Sequence, residues 1–305
     1  FYKIIKKAMS IPIVLIHKTL SSYLIYSLAQ AKKTNPNSKI YLLGDSSNNR
    51  FDFVEHRNIS NYMASAENFS LVYQHFSPND YDYELFCLQR WFVLKEFLLS
   101  EELNHCLYID SDVLLYEDVT EEQMKFQKFD MTLSSGLVPH CNFINNVTAI
   151  IEFCEFALHC YTNPSCLEIF KHQFELYLAN ESTDGASDMK VFEEFRKLNP
   201  KRIGEISIIQ DNSIYDMNIN VSSGFEMNNE IKKVYWINEQ PFCREIESSS
   251  YIKMNALHFQ GGAKKYMKEF FLKANRGFFV KFFLLRYYSI IWIEYKYYRL
   301  LKLII

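Results

Sequence analysis

Short, unbroken apolar runs separated by helical stretches constrain this chain more than any other feature. Ile11–Ile16 (IPIVLI), Lys39–Leu43 (KIYLL) and His105–Ile109 (HCLYI) are each a few residues long and show no polar alternation. Strands that are apolar on both faces are strands covered on both faces, the situation of a parallel sheet between helices. Residues 20–32 and 84–101 read as helices, and Val113–Tyr116 and Met131–Leu133 as further short strands. This order predicts an α/β fold with a mostly parallel sheet flanked by helices. Residues 147–198 then read as helical, 203–258 as short β-like runs, and 265–305 as a helical, aromatic tail. With no internal repeat and no Gly/Ser linker, the expected organisation is one domain over 1–270 and a C-terminal extension over 271–305.

Composition removes whole classes of function. Of 305 residues, 49% are apolar and 23% charged, which excludes collagenous, disordered and disulfide-scaffold proteins. The 33 basic residues against 36 acidic ones leave a net charge of −3, so no nucleic-acid partner is expected. The 26 Phe and 21 Tyr suggest thick packing, or a surface that meets something apolar or sugar-like. Seven scattered cysteines, none in a Cys-x-x-Cys pair, suggest neither a zinc cluster nor a disulfide framework. Sequons at Asn58, Asn68, Asn146, Asn180 and Asn220 are about what chance supplies in so Asn- and Ser-rich a chain. No secretory signal and no uninterrupted apolar run of about 18 residues is seen. A reducing, bacterial-type cytoplasm is the expected location, unless an N-terminal anchor has been removed.

The most informative segment is Leu107-Tyr108-Ile109-Asp110-Ser111-Asp112-Val113. Ligands of open α/β sheets bind outside the carboxyl ends of the strands. Carboxylates at i and i+2 of an extended segment project to the same side. Asp110 and Asp112, just after a buried strand, therefore make a hard-oxygen site for Mg²⁺ or Mn²⁺ with positions left for phosphate oxygens. A solvated, Asp-rich turn is the plain alternative. A second motif lies far along the chain, where Ala256–His258 reads as a strand end followed by Gly261, Gly262 and Lys264. There His258 can offer an imidazole nitrogen to a metal, the glycines admit backbone close to a phosphate, and the lysine adds positive charge.

The run YIDSDVLLY, after its strand-helix-strand opening, resembles the Asp-x-Asp signature of GT-A-fold nucleotide-sugar glycosyltransferases. The spacing His258-x-x-Gly261-x-x-Lys264 resembles the closing motif of the family-8-type retaining members, although Lys265-Tyr266 stands where those usually have Pro-Trp. The resemblance covers about residues 11–266. It implies a GT-A, Rossmann-like fold and a metal-dependent, hexosyltransferase-like enzyme with a UDP-sugar donor and a glycan or lipid-linked acceptor. In that picture Asp110, Asp112 and His258 hold Mn²⁺ or Mg²⁺, while Gly261 and Lys264 meet the diphosphate. A haloacid-dehalogenase-type phosphatase also uses Asp-x-Asp, but Leu114 stands where that family usually has Thr or Val. A non-catalytic sugar- or nucleotide-binding module of the same fold is the other competitor.

The remaining assignments follow from position in the resemblance. Arg90 shares a helical stripe with Phe86, Val93, Leu94 and Phe97, so its guanidinium must snorkel or find an anion. In the family an arginine on this helix lies near the donor. Asp188 reads as a helix N-cap, and the family has an Asp in a comparable loop that contacts the sugar or acceptor; Ala186 replaces a second carboxylate there. Asn142 and Asn145, in CNFINN, stand where such enzymes have a polar acceptor- or sugar-binding loop. His17 and Asp45 follow the first two strands, near where base and ribose would lie. Retention is favoured, with inversion through Asp188 as general base left open. In the tail, Lys281, Arg286, Lys296, Arg299 and Lys302 face a single acid, Glu294. Residues 290–305 resemble a basic amphipathic helix lying on the inner membrane face, with packing on the catalytic domain or on a second subunit of a homo-oligomer as the alternative.

Overall fold

The computed structural model describes residues 10–180, 185–275 and 287. The chain divides into two compact units. One is built from the segment ending at Lys18, Asn35–Asp110 and Glu117–Ile208; the other from Thr19–Thr34, Ser111–Tyr116 and the chain from Ile209 onward. The strands are β1 (Ile13–Ile16), β2 (Ile40–Gly44), β3 (Glu55–Asn58), β4 (Cys106–Ile109), β5 (Val113–Leu115), β6 (Met131–Leu133), β7 (Cys141–Ile144) and β8 (Ile203–Glu205). They continue with β9 (Ser213–Tyr215), β10 (Met227–Asn228), β11 (Ile231–Lys232), β12 (Val234–Ile237), β13 (Gln240–Arg244) and β14 (Tyr251–His258). The helices are α1 (Leu24–Thr34), α2 (Ala64–Ser70), α3 (Tyr81–Ser100), α4 (Val119–Phe126), α5 (Val147–Thr162), α6 (Pro164–Leu178), α7 (Asp188–Leu198) and α8 (Met267–Ala274).

The first unit is a seven-stranded sheet of order β3-β2-β1-β4-β7-β6-β8. Four of its pairings are parallel; only β7 runs antiparallel, to β4 and to β6. The expected mixed α/β architecture, a mostly parallel sheet flanked by helices, is what the chain forms. Every residue of β1, β2 and β4 is buried, as their unbroken apolar runs require. On one face, Val14, Tyr41, Leu43 and Tyr108 join residues of α2, α3, α5, α6 and α7 in a single core. On the other, Phe126 of α4 stacks on Phe143 of β7 at 5.3 Å.

Two features of this unit escape a reading of apolar runs. The stretch before residue 80 carries β3 and α2, both short and largely polar, so neither has enough periodicity to stand out. The CNFINN segment is a buried strand, β7, followed by a turn, and not a loop. Helix α3 starts three residues before the expected 84 because Asp80 caps it, Oδ1 accepting from the amides of Asp82 and Tyr83.

The second unit centres on β14, the longest strand described. Its first half pairs with β13 and its carboxyl end with β5, both antiparallel, while β9 lies parallel to it. The final five residues of β14 are all buried. A 3₁₀ turn over Gly261–Tyr266 then leads into α8. Past Asn275 the expected C-terminal extension lies, apart from Tyr287, outside the described residues. Among the described residues, no helix is long and apolar enough to cross a membrane.

Aromatic rings pack closely in the core of the first unit. Phe153 stacks on Phe192 at 3.7 Å and 10°, and Trp91 meets Phe192 edge-on at 4.9 Å. All three rings are fully buried. Phe153→Ala is expected to cost about 3–5 kcal/mol of stability, read as a lower denaturant midpoint with an unchanged slope.

Candidate functional site

In the first unit the site forms where β4 ends. Asp110 follows its last residue, and Tyr108, two residues earlier, points its phenol the same way so that the hydroxyl donates to Asp110 Oδ1 at 2.7 Å. Arg90 comes in from α3. Its Nη1 donates to Asp110 Oδ1 at 2.7 Å and its Nη2 to Asp188 Oδ2 at 2.8 Å. The indole of Trp91 donates to that same Asp188 oxygen at 3.0 Å. Arg90 has therefore found two anions and does not snorkel. Burial alone would weaken its charge, but Asp110 and Asp188 outweigh it and hold the guanidinium firmly protonated.

Asp188 is the first residue of α7 and not its cap. Ser187 is the cap, Oγ accepting from the Met189 amide, which leaves the Asp188 carboxylate to serve Arg90 and Trp91. The approach of this segment depends on Gly185: a Cβ there would lie 2.5 Å from the Phe76 carbonyl oxygen and 2.8 Å from Ser77 Cα. The next amide, Ala186, donates to that Phe76 carbonyl at 2.7 Å. Near by, Glu84 is buried; burial pushes its carboxyl group up, against the Asn79 amide that donates to it at 2.6 Å. Nothing in the sequence singles out Glu84, Tyr108 or Trp91, because each lies within an apolar stretch of helix or strand.

The other expected residues of this unit make hydrogen bonds of their own. His17 and Asp45 stand beyond the ends of β1 and β2. The His17 carbonyl accepts from Asn48 Nδ2 at 2.7 Å, and Asp45 Oδ1 accepts from the Ser47 amide at 2.8 Å. Asn142 is fully buried in β7, directly opposite Tyr108, and its Oδ1 accepts from the Thr132 amide at 3.2 Å. The amide side chain thus fills a gap in the β6–β7 ladder, which corrects its expected place in a loop. Asn142 Nδ2 has no hydrogen-bond partner among the described residues. Asn145 pins the following turn by donating to the carbonyls of Phe126 and Phe129.

In the second unit Asp112, His258 and Lys264 come together. The antiparallel register sets His258 opposite Val113, and the Phe259 amide donates to the Asp112 carbonyl at 2.9 Å. His258 Nε2 then faces Asp112 Oδ1 at 3.5 Å, and Lys264 Nζ reaches Asp112 Oδ2 at 2.8 Å. Lysine returns to the aspartate because the chain reverses in the 3₁₀ turn. Gly261 there has φ +59°, a conformation that favours glycine. Asp112 is 8% exposed and His258 4%. Burial would raise the Asp112 carboxyl, but His258 and Lys264 prevail and hold it well below the usual carboxylate range.

The histidine carries a metal ligand's orientation. Its Nδ1 lies 2.7 Å from the Met217 carbonyl, which can only accept, so a hydrogen sits on Nδ1 and Nε2 is the nitrogen turned to the carboxylate. A proton on Nε2 bridges it to Asp112, and a metal ion taking that proton's place would be held by the same two atoms. An imidazole anchored through its other nitrogen beside a carboxylate is a mixed donor set that fits Mn²⁺, of the two ions expected from the sequence, better than the oxygen-preferring Mg²⁺.

No protein-family profile and no curated protein matches the chain. Among solved structures it is similar to mouse xyloside xylosyltransferase 1, at 9% identity and a TM-score of 0.47, over 67% of this chain and 88% of that one. It is also similar to the bifunctional glycosyltransferase WbbM, at 10% identity and a TM-score of 0.46, over 88% of this chain and 50% of that longer one. A third likeness is to the glycosyltransferase GlyE of Streptococcus pneumoniae TIGR4, at 15% identity and a TM-score of 0.34, over 69% and 47%.

Removing Arg90 leaves two carboxylates in a largely buried setting without their shared counter-charge. Arg90→Met is expected to lose about 3–5 kcal/mol in chemical denaturation. Asp188→Asn should lose less, because the Asn oxygen still accepts from Trp91 and Arg90 keeps Asp110.

Proposed function

We propose that the chain is a metal-dependent glycosyltransferase that moves a sugar from a nucleotide-diphosphate donor, UDP-linked, to a glycan or lipid-linked saccharide. One observation carries this reading: the Asp112–His258–Lys264 constellation, with His258 locked through Nδ1 so that Nε2 faces the carboxylate. Asp112 and His258, with Asp110 two residues earlier in the chain, would hold Mn²⁺ or Mg²⁺. The bound ion supplies Lewis-acid stabilisation of the negative charge that grows on a departing diphosphate.

The chain's own residues do the rest. Lys264 ends a flexible stem anchored by the glycine turn, and its ammonium can turn from Asp112 to a phosphate oxygen, adding fixed positive charge where the leaving group forms. Gly261 and Gly262 present backbone without side chains, and among the described residues no atom outside their own turn lies within 4 Å of where either Cβ would stand. Arg90, held rigid between two carboxylates, offers N–H groups and a charged face to the donor, with Asp188 fixing its direction. Asp188 Oδ2 is already bonded by Arg90 and Trp91. That commitment favours an orienting role over one as a general base, and so favours retention of configuration.

The reading is tested by screening nucleotide sugars for Mn²⁺-dependent hydrolysis. At least one UDP-sugar is expected to turn over, and Asp112→Ala should lower kcat by about 10²-fold or more. Turnover untouched by Asp112→Ala or by metal removal would overturn it. UDP binding without release of sugar would point instead to a binding module.

A further inference from the structure

Behind His258, the loop of residues 216–221 is tied around a single buried lysine. Lys232, on β11, is 0% exposed in its side chain, and its partner Asp216 is 1% exposed. Its ammonium donates to Asp216 Oδ1 at 2.7 Å, to the Asn218 carbonyl at 2.7 Å and to the Val221 carbonyl. Three N–H groups meet three acceptors, all from one loop, so the ammonium is fully satisfied by it. The Lys232 backbone joins the same knot, its amide donating to the Ile219 carbonyl at 2.8 Å.

That loop is also what grips His258. The Met217 carbonyl takes the Nδ1 hydrogen at 2.7 Å, the His258 amide donates to Asp216 Oδ2 at 3.4 Å, and the Ile219 amide donates to the His258 carbonyl at 3.0 Å. Farther on, Asn218 and Asn220 hold Gln260 through its side chain and its carbonyl. Asp216 thus bonds Lys232 with one oxygen and the histidine's backbone with the other. A buried ammonium that served only to fill space would be replaceable by an apolar side chain. Here it gathers the very carbonyl-bearing loop that sets the imidazole's tautomer.

We propose that Lys232 is a positioning residue for His258: by drawing residues 216–221 together it fixes the Met217 carbonyl against Nδ1 and aims Nε2 at Asp112. This rests on reading Asp112 and His258 as metal ligands. Partners that orient a metal-binding histidine typically change metal affinity by about 10–100-fold when removed.

The test uses the full chain and Mn²⁺ alone, with free Mn²⁺ followed by electron paramagnetic resonance at a temperature where near-UV circular dichroism shows each variant folded. The tautomer of His258 is read in parallel from ¹⁵N-histidine spectra of the metal-free protein. Lys232→Met is expected to weaken Mn²⁺ binding about 10–100-fold and to erode the Nδ1–H signature. Phe271→Ala, which opens the core of the same unit, should lower stability while leaving both readouts as in the wild type. If Lys232→Met does not accumulate as folded protein, Asp216→Asn/Lys232→Met removes the stranded carboxylate and is read in the same way. Wild-type affinity and an unchanged tautomer in the folded variant would overturn the proposal. If the wild type binds no Mn²⁺, the metal reading falls, and the tautomer measurement alone decides the role of Lys232.

Discussion

Asp112 is a carboxylate stripped of most of its water, and an ionised group in that position survives only if charge and hydrogen bonds replace the solvent. Two groups do so here, His258 and Lys264, and both depend on chain geometry for their arrival. The antiparallel pairing of β5 with β14 delivers the histidine; the glycine-led 3₁₀ turn delivers the lysine. Neither residue is close to Asp112 in sequence, so the site exists only once this sheet has formed. Packing and chemistry are therefore coupled: the strand that completes the hydrophobic core of the unit also carries the imidazole.

The first unit solves a complementary problem with the charges reversed. Arg90 is a buried cation that must be kept ionised, and it is placed between two carboxylates that belong to distant parts of the chain, Asp110 after β4 and Asp188 at the start of α7. Helix α3 can present an arginine on its inner face because the face around it is aromatic. Trp91 and Tyr108 pack by their rings, with centroids 4.8 Å apart, and spend their polar atoms on the same two carboxylates. An aromatic core of this kind buries area and supplies donors at once, which aliphatic side chains cannot do.

Much of this is legible in the sequence, and the unread parts share a physical cause. Unbroken apolar runs mark β1, β2 and β4 because full burial leaves no polar alternation, and their order with the helices gives the sheet. The i, i+2 aspartates are a local signal that marks Asp112, while the His-x-x-Gly-x-x-Lys spacing marks His258 and Lys264 through its family resemblance. Arg90 is visible as a charge in an apolar stripe, although which anions it meets is not. What stays hidden is what folding alone brings together: the Met217 carbonyl, the Asp216–Lys232 pair, and the ladder-filling role of Asn142. A lysine in an ordinary polar stretch such as Asn228–Lys233 carries no mark of burial. Asn142 is expected in a loop by its position in the family resemblance, whereas here the amide substitutes for a strand hydrogen bond.

The two aspartates of the Asp-Ser-Asp run are held by different partners, each within its own unit. The Oδ1 of Asp110 already accepts from two donors, Arg90 and Tyr108, so its charge is distributed over fixed hydrogen bonds. The Oδ1 of Asp112 faces Nε2 of an imidazole whose other nitrogen is committed to Met217, and its Oδ2 meets the Lys264 ammonium. A charge shared over a rigid guanidinium and a phenol is restrained, whereas one balanced in part by a flexible lysine stem can exchange that partner for another. Asp110 is tied instead to the arginine and tyrosine of its own unit, and any ligand that draws on its charge must compete with them.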